Sequence, residues 1–207
     1  MTLIFIKTDF CAVFTIGKNG PGEYNLKMII KELDYNKYKG QKYQAEILSE
    51  RYLSIERMAG SDDDESFEIK WVMSDEPLRM SITEDLLQDW LDEPVAYGAF
   101  EGDTLIGVVE GFLEKWNNRF RIANICVFDQ ANRRSGIGTK LMETILKDAV
   151  KSGARMVILE TQTFNYKAIS FYKKHGFEII GFDRYCYSNR GPQEHNMRLE
   201  MGKILKW

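Results

Sequence analysis

CVFDQANRRSGIGTKLM, from Cys126 to Met142, is the stretch of this 207-residue chain that decides how the rest is read. Its first residues are apolar and β-prone, and its middle is a short loop carrying Arg133 and Arg134. Gly136 then opens a run in which Ile137, Leu141, Ile145 and Ala149 fall on one helical stripe. The order is strand, loop, helix. The first N–H groups of a helix have no internal partner and the helix dipole adds positive character, so such a junction suits an anion. Gly136 and Gly138 let a pyrophosphate approach the backbone, and the two arginines offer charge-assisted hydrogen bonds.

Two phosphate-binding patterns fail here. The Walker pattern needs GxxxxGK[ST], whereas Gly138-Thr139-Lys140 has the wrong order and no earlier glycine at the right distance. The dinucleotide fingerprint GxGxxG needs glycine where Leu141 stands, and it normally follows the first strand of a domain. What remains is [QR]xxGx[GA], met by Arg133, Gly136 and Gly138, with Ser135, Ile137 and Thr139 beside them. For the loop taken alone, a glycine turn with two solvated arginines is the plain alternative.

A second stretch, ETQTFNYKAISFYKKHGFEIIGFD from Glu160 to Asp183, adds an independent signal. Asn165, Ala168 and Tyr172 stand three and four apart, which puts them on one helix face. Gly176 is placed to cap that helix in the left-handed conformation. Together the two stretches resemble the GNAT superfamily of acetyl-CoA-dependent N-acetyltransferases. Arg133, Gly136 and Gly138 match its cofactor loop, and Asn165, Ala168, Phe171, Tyr172, Gly176 and Phe177 match its Asn-x-x-Ala…Phe-Tyr-x-x-x-Gly-Phe pattern. The resemblance runs over residues 28 to 207 and is strongest from Val95 to Asp183. Glu160-Thr161-Gln162 with Gly181-Phe182-Asp183 is most similar to the streptothricin acetyltransferase group, which acetylates an amine of a cationic antibiotic. The ending HNMRLEMGKILKW, from His195, departs from that group in being poorer in aromatics.

The resemblance implies an α/β (α+β) fold: a GNAT-like mixed central sheet, with an antiparallel meander followed by βαβαβ and a cofactor cleft. It implies acetyl-CoA as donor and a small-molecule amine as acceptor, with no metal and no covalent acyl-enzyme. The pyrophosphate falls to Arg133, Arg134, Ser135, Gly136, Ile137, Gly138 and Thr139, and the thioester and pantetheine amides to the backbone of Ile125, Cys126 and Val127. Asn165, Ala168 and Tyr172 complete the cofactor set, Tyr172 as the general acid that protonates the departing thiolate. The attacking amine must also lose a proton. Glu110, Glu114 and Glu160 are the candidate bases, Glu110 first because the meander should line the acceptor side, against the alternative of a structurally paired carboxylate. The run Asp62 to Glu65 either attracts a cationic acceptor or is simply solvated. Trp90, Trp116, Tyr97 and Tyr185 either stack on a cation or pack. His175 reads as a helix-end residue. Competing with a small-molecule enzyme are an acyl-CoA-binding module without turnover and an acetyltransferase of protein lysines or N-termini.

Elsewhere punctuation sets the boundaries. GKNGPGEYN, Gly17 to Asn25, reads as a loop, so residues 1 to 27 form an appendage, an edge hairpin or a leader, and the acetyltransferase domain spans 28 to 207 with a strand opening at Met28. Tyr43, Ile47, Leu48, Tyr52 and Ile55 predict one long or two short helices between Tyr38 and Met58. After a loop at Gly60 to Glu65, FEIKWV alternates as a strand from Phe67. Ser81 and Glu84 have capping-box spacing and predict a short helix through LLQDWL, stopping by Pro94. Val95–Phe100, Thr104–Leu113 and Phe120–Phe128 predict the meander, and strands near Phe177–Tyr185 and Met197–Leu205 close the α/β half.

Composition narrows the partners. With 28 Lys+Arg and 31 Asp+Glu the net charge is −3 and no basic run occurs, so nucleic acid and anionic membrane surfaces are not expected partners. No apolar run approaches the roughly 20 residues of a membrane helix, and the opening MTLIFIKTDFCAVF lacks the basic start of a secretory signal. Cys11, Cys126 and Cys186 are odd in number and widely spaced, and only His175 and His195 complete the soft ligands. That speaks for the cytoplasm and against a thiolate zinc site. A homodimer is compatible with all of this.

Overall fold

The computed structural model describes residues 12–15, 27–59, 65–128 and 136–206. The chain divides into two units, one of Met1–Ala45 with Thr83–Ala154 and one of Glu46–Ile82 with Arg155–Trp207.

The first unit is built on the meander. β5 (Val95–Glu101), β6 (Thr104–Glu114) and β7 (Arg119–Val127) run antiparallel, with β2 (Lys27–Glu32) on β5 and β1 (Ala12–Thr15) on β2, Val13 opposite Ile29. The remaining residues before Lys27 lie outside the described ones. Short α1 (Tyr35–Tyr38) follows β2, and α2 (Ile137–Lys151) lies against β5, β6 and β7. The stripe expected of α2 is its buried face: Ile137, Leu141, Met142, Ile145 and Ala149 are sealed with Val108 and Val109 of the sheet. Burial of each large side chain contributes about 1.5–3 kcal/mol. Tyr97 ties β5 to α2 through a 2.6 Å hydrogen bond to Asp148.

The second unit holds β8 (Met156–Gln162), α3 (Tyr166–Lys174), β9 (Glu178–Asp183) and β10 (Arg198–Ile204). β10 lies between β8 and β9, antiparallel to both. Most of a long hairpin, β3 (Lys42–Arg57) with β4 (Phe67–Asp85), belongs here too. It is joined to the β8–α3 corner by the Leu53 N–H donating to the Thr163 carbonyl at 2.9 Å. The mixed α/β fold is the expected one, and its strand pairs are mostly antiparallel.

Two expected helices are strands and turns. The Tyr38–Met58 segment is β3, apart from the single turn α1 before it. Tyr43 and Ile47, four apart, suit one helical turn and two strand repeats equally, and the burial chooses the strand: Tyr43, Ile47 and Ser49 are buried while Gln44, Glu46 and Glu50 are exposed or half-exposed. Ser81 does not cap a helix; it sits in β4. The residues after it turn sharply, with Leu86 and Leu87 buried and Leu87 at φ +53, which a right-handed helix cannot hold. Leu86 is bonded both ways to the corner before β3, accepting from Gly40 N–H (2.8 Å) and donating to Gln41 O (3.0 Å). Tertiary hydrogen bonds there outweigh local capping.

Candidate functional site

In the first unit the strand and the helix start fall where the sequence expects them. β7 pairs with β6 in two registers: Glu110 faces Asn124, yet Gly111 faces Ile122, so Ala123 is an extra residue and β7 bulges. Ile125, Cys126 and Val127 come next, half-buried and opposite Val109, Val108 and Gly107. Gly107 is needed there, because a Cβ would stand 2.9 Å from the Cys126 carbonyl oxygen.

Gly136 is the N-cap of α2 in the left-handed conformation (φ 85°, ψ 2°), and among the described residues no side chain caps the helix and nothing lies within 4 Å of where a Cβ would stand. The first helical bond is Lys140 N–H to Gly136 O at 3.1 Å. The N–H groups of Ile137, Gly138 and Thr139 therefore precede the intrahelical ladder, at the positive end of a 15-residue helix. Geometry and donor type fit a pyrophosphate. Arg133, Arg134 and Ser135 lie outside the described residues.

The two candidate bases of this unit, Glu110 and Glu114, are already hydrogen-bonded. Glu110 is 0% exposed. Its Oε2 accepts from the Leu87 N–H at 2.8 Å and its Oε1 from Asn124 Nδ2 at 2.5 Å. Burial pushes its carboxyl above the ordinary value and these two bonds oppose the shift. Glu114 accepts from Arg121 Nε at 2.6 Å and pairs with Arg119 at 3.0 Å. Burial would raise its pKa, but the arginines and Asn117 hold it below the ordinary value, which suits a charged strut better than a base. Tyr97 is buried with its phenol on Asp148, so it is no cation platform. Trp90 stands exposed with its edge to Phe112 (5.8 Å), and Trp116, 83% exposed, lies 5.9 Å from the Arg119 guanidinium.

In the second unit Asn165 is the N-cap of α3, its Oδ1 accepting from the Ala168 N–H at 3.4 Å. Asn165 thus stands just before the helix and fixes its start, while Ala168 and Tyr172 lie within it. Tyr172 is 7% exposed, its ring tilted on Phe177 at 6.2 Å and edge-on to Phe171 at 5.7 Å. Its carbonyl accepts from His175 N–H (2.9 Å) and Phe177 N–H (3.1 Å), which ends the helix where Gly176 takes φ +82. His175 is the helix-end residue expected, with Nδ1 2.9 Å from the Phe171 carbonyl. Glu160, on β8, is half-exposed and accepts from the Tyr187 phenol at 3.4 Å. Tyr185 lies 5.6 Å from the Arg184 guanidinium. Of the acidic run only Glu65 is described, bound to Arg57 at 2.9 Å; Asp62, Asp63 and Asp64 lie outside the described residues.

The sequence reading passes over Asn124, Leu87 and a stack of Tyr52 on His195, whose rings lie 3.7 Å apart. Each joins residues distant along the chain. Only the pairing of β6 with β7 could have flagged Asn124, as the residue opposite Glu110.

The profile of the Acetyltransferase (GNAT) family matches residues 62–177, more than half of the chain. A streptothricin acetyltransferase of Escherichia coli is 33% identical over 133 residues, 64% of this chain and 73% of that protein. Streptothricin acetyltransferase A of Bacillus subtilis is 36% identical over 74 residues, 36% of this chain and 42% of that protein. Among solved structures, a nourseothricin acetyltransferase superposes with a TM-score of 0.66 over 86% of this chain and 98% of its own, at 21% identity. A Bacillus anthracis protein in complex with acetyl coenzyme A does so with a TM-score of 0.66 over 87% and 99%, at 20% identity. Those two likenesses establish the fold.

Proposed function

We propose that this chain, which belongs to the GNAT acetyltransferase family and is an acetyl-CoA-dependent N-acetyltransferase, acetylates a primary amine of a small cationic acceptor of the streptothricin type. The observation that carries the donor side is the left-handed Gly136 at the start of α2, with no described residue capping the helix or within 4 Å of where its Cβ would stand, downstream of the bulged strand β7. The acceptor class rests on the similarity to the E. coli streptothricin acetyltransferase across 73% of that protein.

In this reading the pyrophosphate takes the N–H groups of Ile137, Gly138 and Thr139, with Arg133, Arg134 and Ser135 contributing from the loop. The backbone of Ile125, Cys126 and Val127 engages the pantetheine and thioester, and Asn165, Ala168 and Tyr172 supply the helical part of the cofactor set. The amine nitrogen attacks the thioester carbonyl, the new C–N bond forms and the C–S bond breaks. The amine proton leaves through water, the Tyr172 hydroxyl gives its proton to the thiolate, and the phenol recovers a proton from solvent, which balances the one the amine released. Products are the acetamide and free CoA. The three cysteines and the need for acetyl-CoA support a cytoplasmic setting.

The test is an acceptor panel containing a streptothricin, linear polyamines and lysine or N-terminal peptides. Thiol release from acetyl-CoA and the mass of one added acetyl group are followed. Turnover on the streptothricin or the polyamines, with none on the peptides, is expected. Acetylation of the peptides alone would overturn the acceptor class, and no thiol release with any amine would leave a binding module.

A further inference from the structure

Glu110 is the one charged side chain of the described residues that is sealed completely, and the transfer chemistry assigned to this chain does not use it. A carboxyl group with no solvent contact has no direct path to the proton of an incoming amine. Its bonds say what it does instead. Oε1 holds Asn124 across the β6–β7 pair, at the step where the register slips by one residue. Oε2 holds the N–H of Leu87, a non-glycine residue in the left-handed region at φ +53. A strained conformation persists only where its surroundings over-determine it, and a bulge bends its strand and re-aims the residues beyond it.

The two anchored places matter for different reasons. One residue beyond Asn124 begins Ile125–Val127, the strand segment assigned to the thioester and pantetheine. Leu87 ends the turn out of β4, and its neighbour Leu86 is bonded to Gly40 and Gln41 at the entry to β3. Gly111, next to Glu110, leaves no slack: a Cβ there would stand 2.6 Å from the Arg121 carbonyl oxygen. The carboxylate therefore joins the base of the β3–β4 hairpin to the bulge of β7 through a single buried side chain.

We propose that Glu110 is a positioning residue of the transfer reaction: through Asn124 it sets the direction of Ile125–Val127, and through Leu87 it holds the corner beneath the hairpin. The inference rests on the acetyltransferase reading for its kinetic consequence, but not for its structural one. A misplacement of about 1 Å in the donor strand is worth on the order of 100-fold in rate.

Glu110→Gln, Glu110→Ala and Asn124→Ala separate this role from that of a base. Gln keeps the shape, with its oxygen accepting from Leu87 and its amide donating to Asn124 once the Asn124 amide turns over. Three readouts are compared: kcat on the best amine, KM for acetyl-CoA, and amide hydrogen exchange at Leu87 and Ile125–Val127. The expected result is Gln within about threefold of wild-type kcat, and both alanine variants losing on the order of 10- to 100-fold. Exchange should quicken at Ile125–Val127 in both alanine variants and at Leu87 in Glu110→Ala only. If Glu110→Ala does not fold, Glu110→Gln against Asn124→Ala decides. A Gln variant as inactive as Ala, with exchange unchanged, would make Glu110 the base and overturn the proposal. So would alanine variants with wild-type kinetics and exchange. The exchange arm needs no turnover, so it reads the positioning role even if wild-type protein acetylates no amine.

Discussion

Gly136→Ala and Gly136→Asn form a pair whose effects on stability and on acetyl-CoA binding should run in opposite orders. Gly136 sits at φ 85°, and a Cβ built there meets no described residue within 4 Å, so alanine adds strain without a clash among them. A left-handed conformation costs an L-residue roughly 1–2 kcal/mol, and the lower entropy of the unfolded alanine chain returns about 0.4–1 kcal/mol. The net loss is about 1 kcal/mol, which for a chain of this size lowers Tm by roughly 2–4 °C. Asparagine tolerates this conformation better, so Gly136→Asn should unfold within about 1 °C of wild type. Binding should show the reverse. Asparagine sets a branched polar side chain over the N–H groups of Ile137, Gly138 and Thr139, whereas alanine adds one methyl. Losing one charge-assisted hydrogen bond at about 1.5–3 kcal/mol weakens acetyl-CoA on the order of tenfold or more. Differential scanning calorimetry and isothermal titration calorimetry with acetyl-CoA read the two quantities. A Gly136→Ala protein with unchanged Tm would refute the strain argument. A Gly136→Asn protein that binds acetyl-CoA like wild type would show that no phosphate approaches this backbone.

Tyr172→Phe removes only a hydroxyl from a ring packed on Phe177 and Phe171, so Tm should hold while kcat falls on the order of 100-fold with KM for acetyl-CoA unchanged. The loss should shrink with an acyl donor whose leaving thiol is more acidic; equal kcat in both proteins would leave thiolate protonation to solvent. Glu114 has its folded-state pKa lowered by Arg121, Asn117 and Arg119 despite its burial, against an ordinary value of 4.5. Its contribution to stability is therefore complete above that value and lost as pH falls below it, through the lowered folded value. Glu114→Gln should flatten the acid limb of a Tm-versus-pH curve there, and an unchanged curve would remove the strut. A chain begun at Met28 should fold and keep its midpoint within a few degrees, since β2 keeps its pairing with β5 when β1 is removed. Insoluble or markedly less stable protein would show that the β1–β2 pairing contributes to the stability of the first unit.

Local patterns sufficed wherever one interaction dominates. The meander strands are apolar runs separated by turns at Gly102 and at Asn117-Asn118, the α2 stripe runs from Ile137 to Ala149 between two left-handed glycines, and α3 starts at an asparagine cap and ends at a glycine. In each, periodicity and end chemistry agree, so sequence alone determined the strand–loop–helix junction, the second helical motif and the family they resemble. Where the only local signal was a spacing of four, as at Tyr43 and Ile47, the sequence was equally compatible with both periods, and only the hairpin partner and the surface beneath it selected β3. At Leu86 and Leu87 a strained corner replaced a predicted helix because Gly40 and Gln41 hydrogen-bond Leu86 and the buried Glu110 carboxylate holds the Leu87 N–H. The same holds for Glu110 itself. Its residue type marks it as a possible base, but whether a carboxylate meets water or two fixed donors is decided by which strands lie over it, and that depends on contacts across the whole first unit.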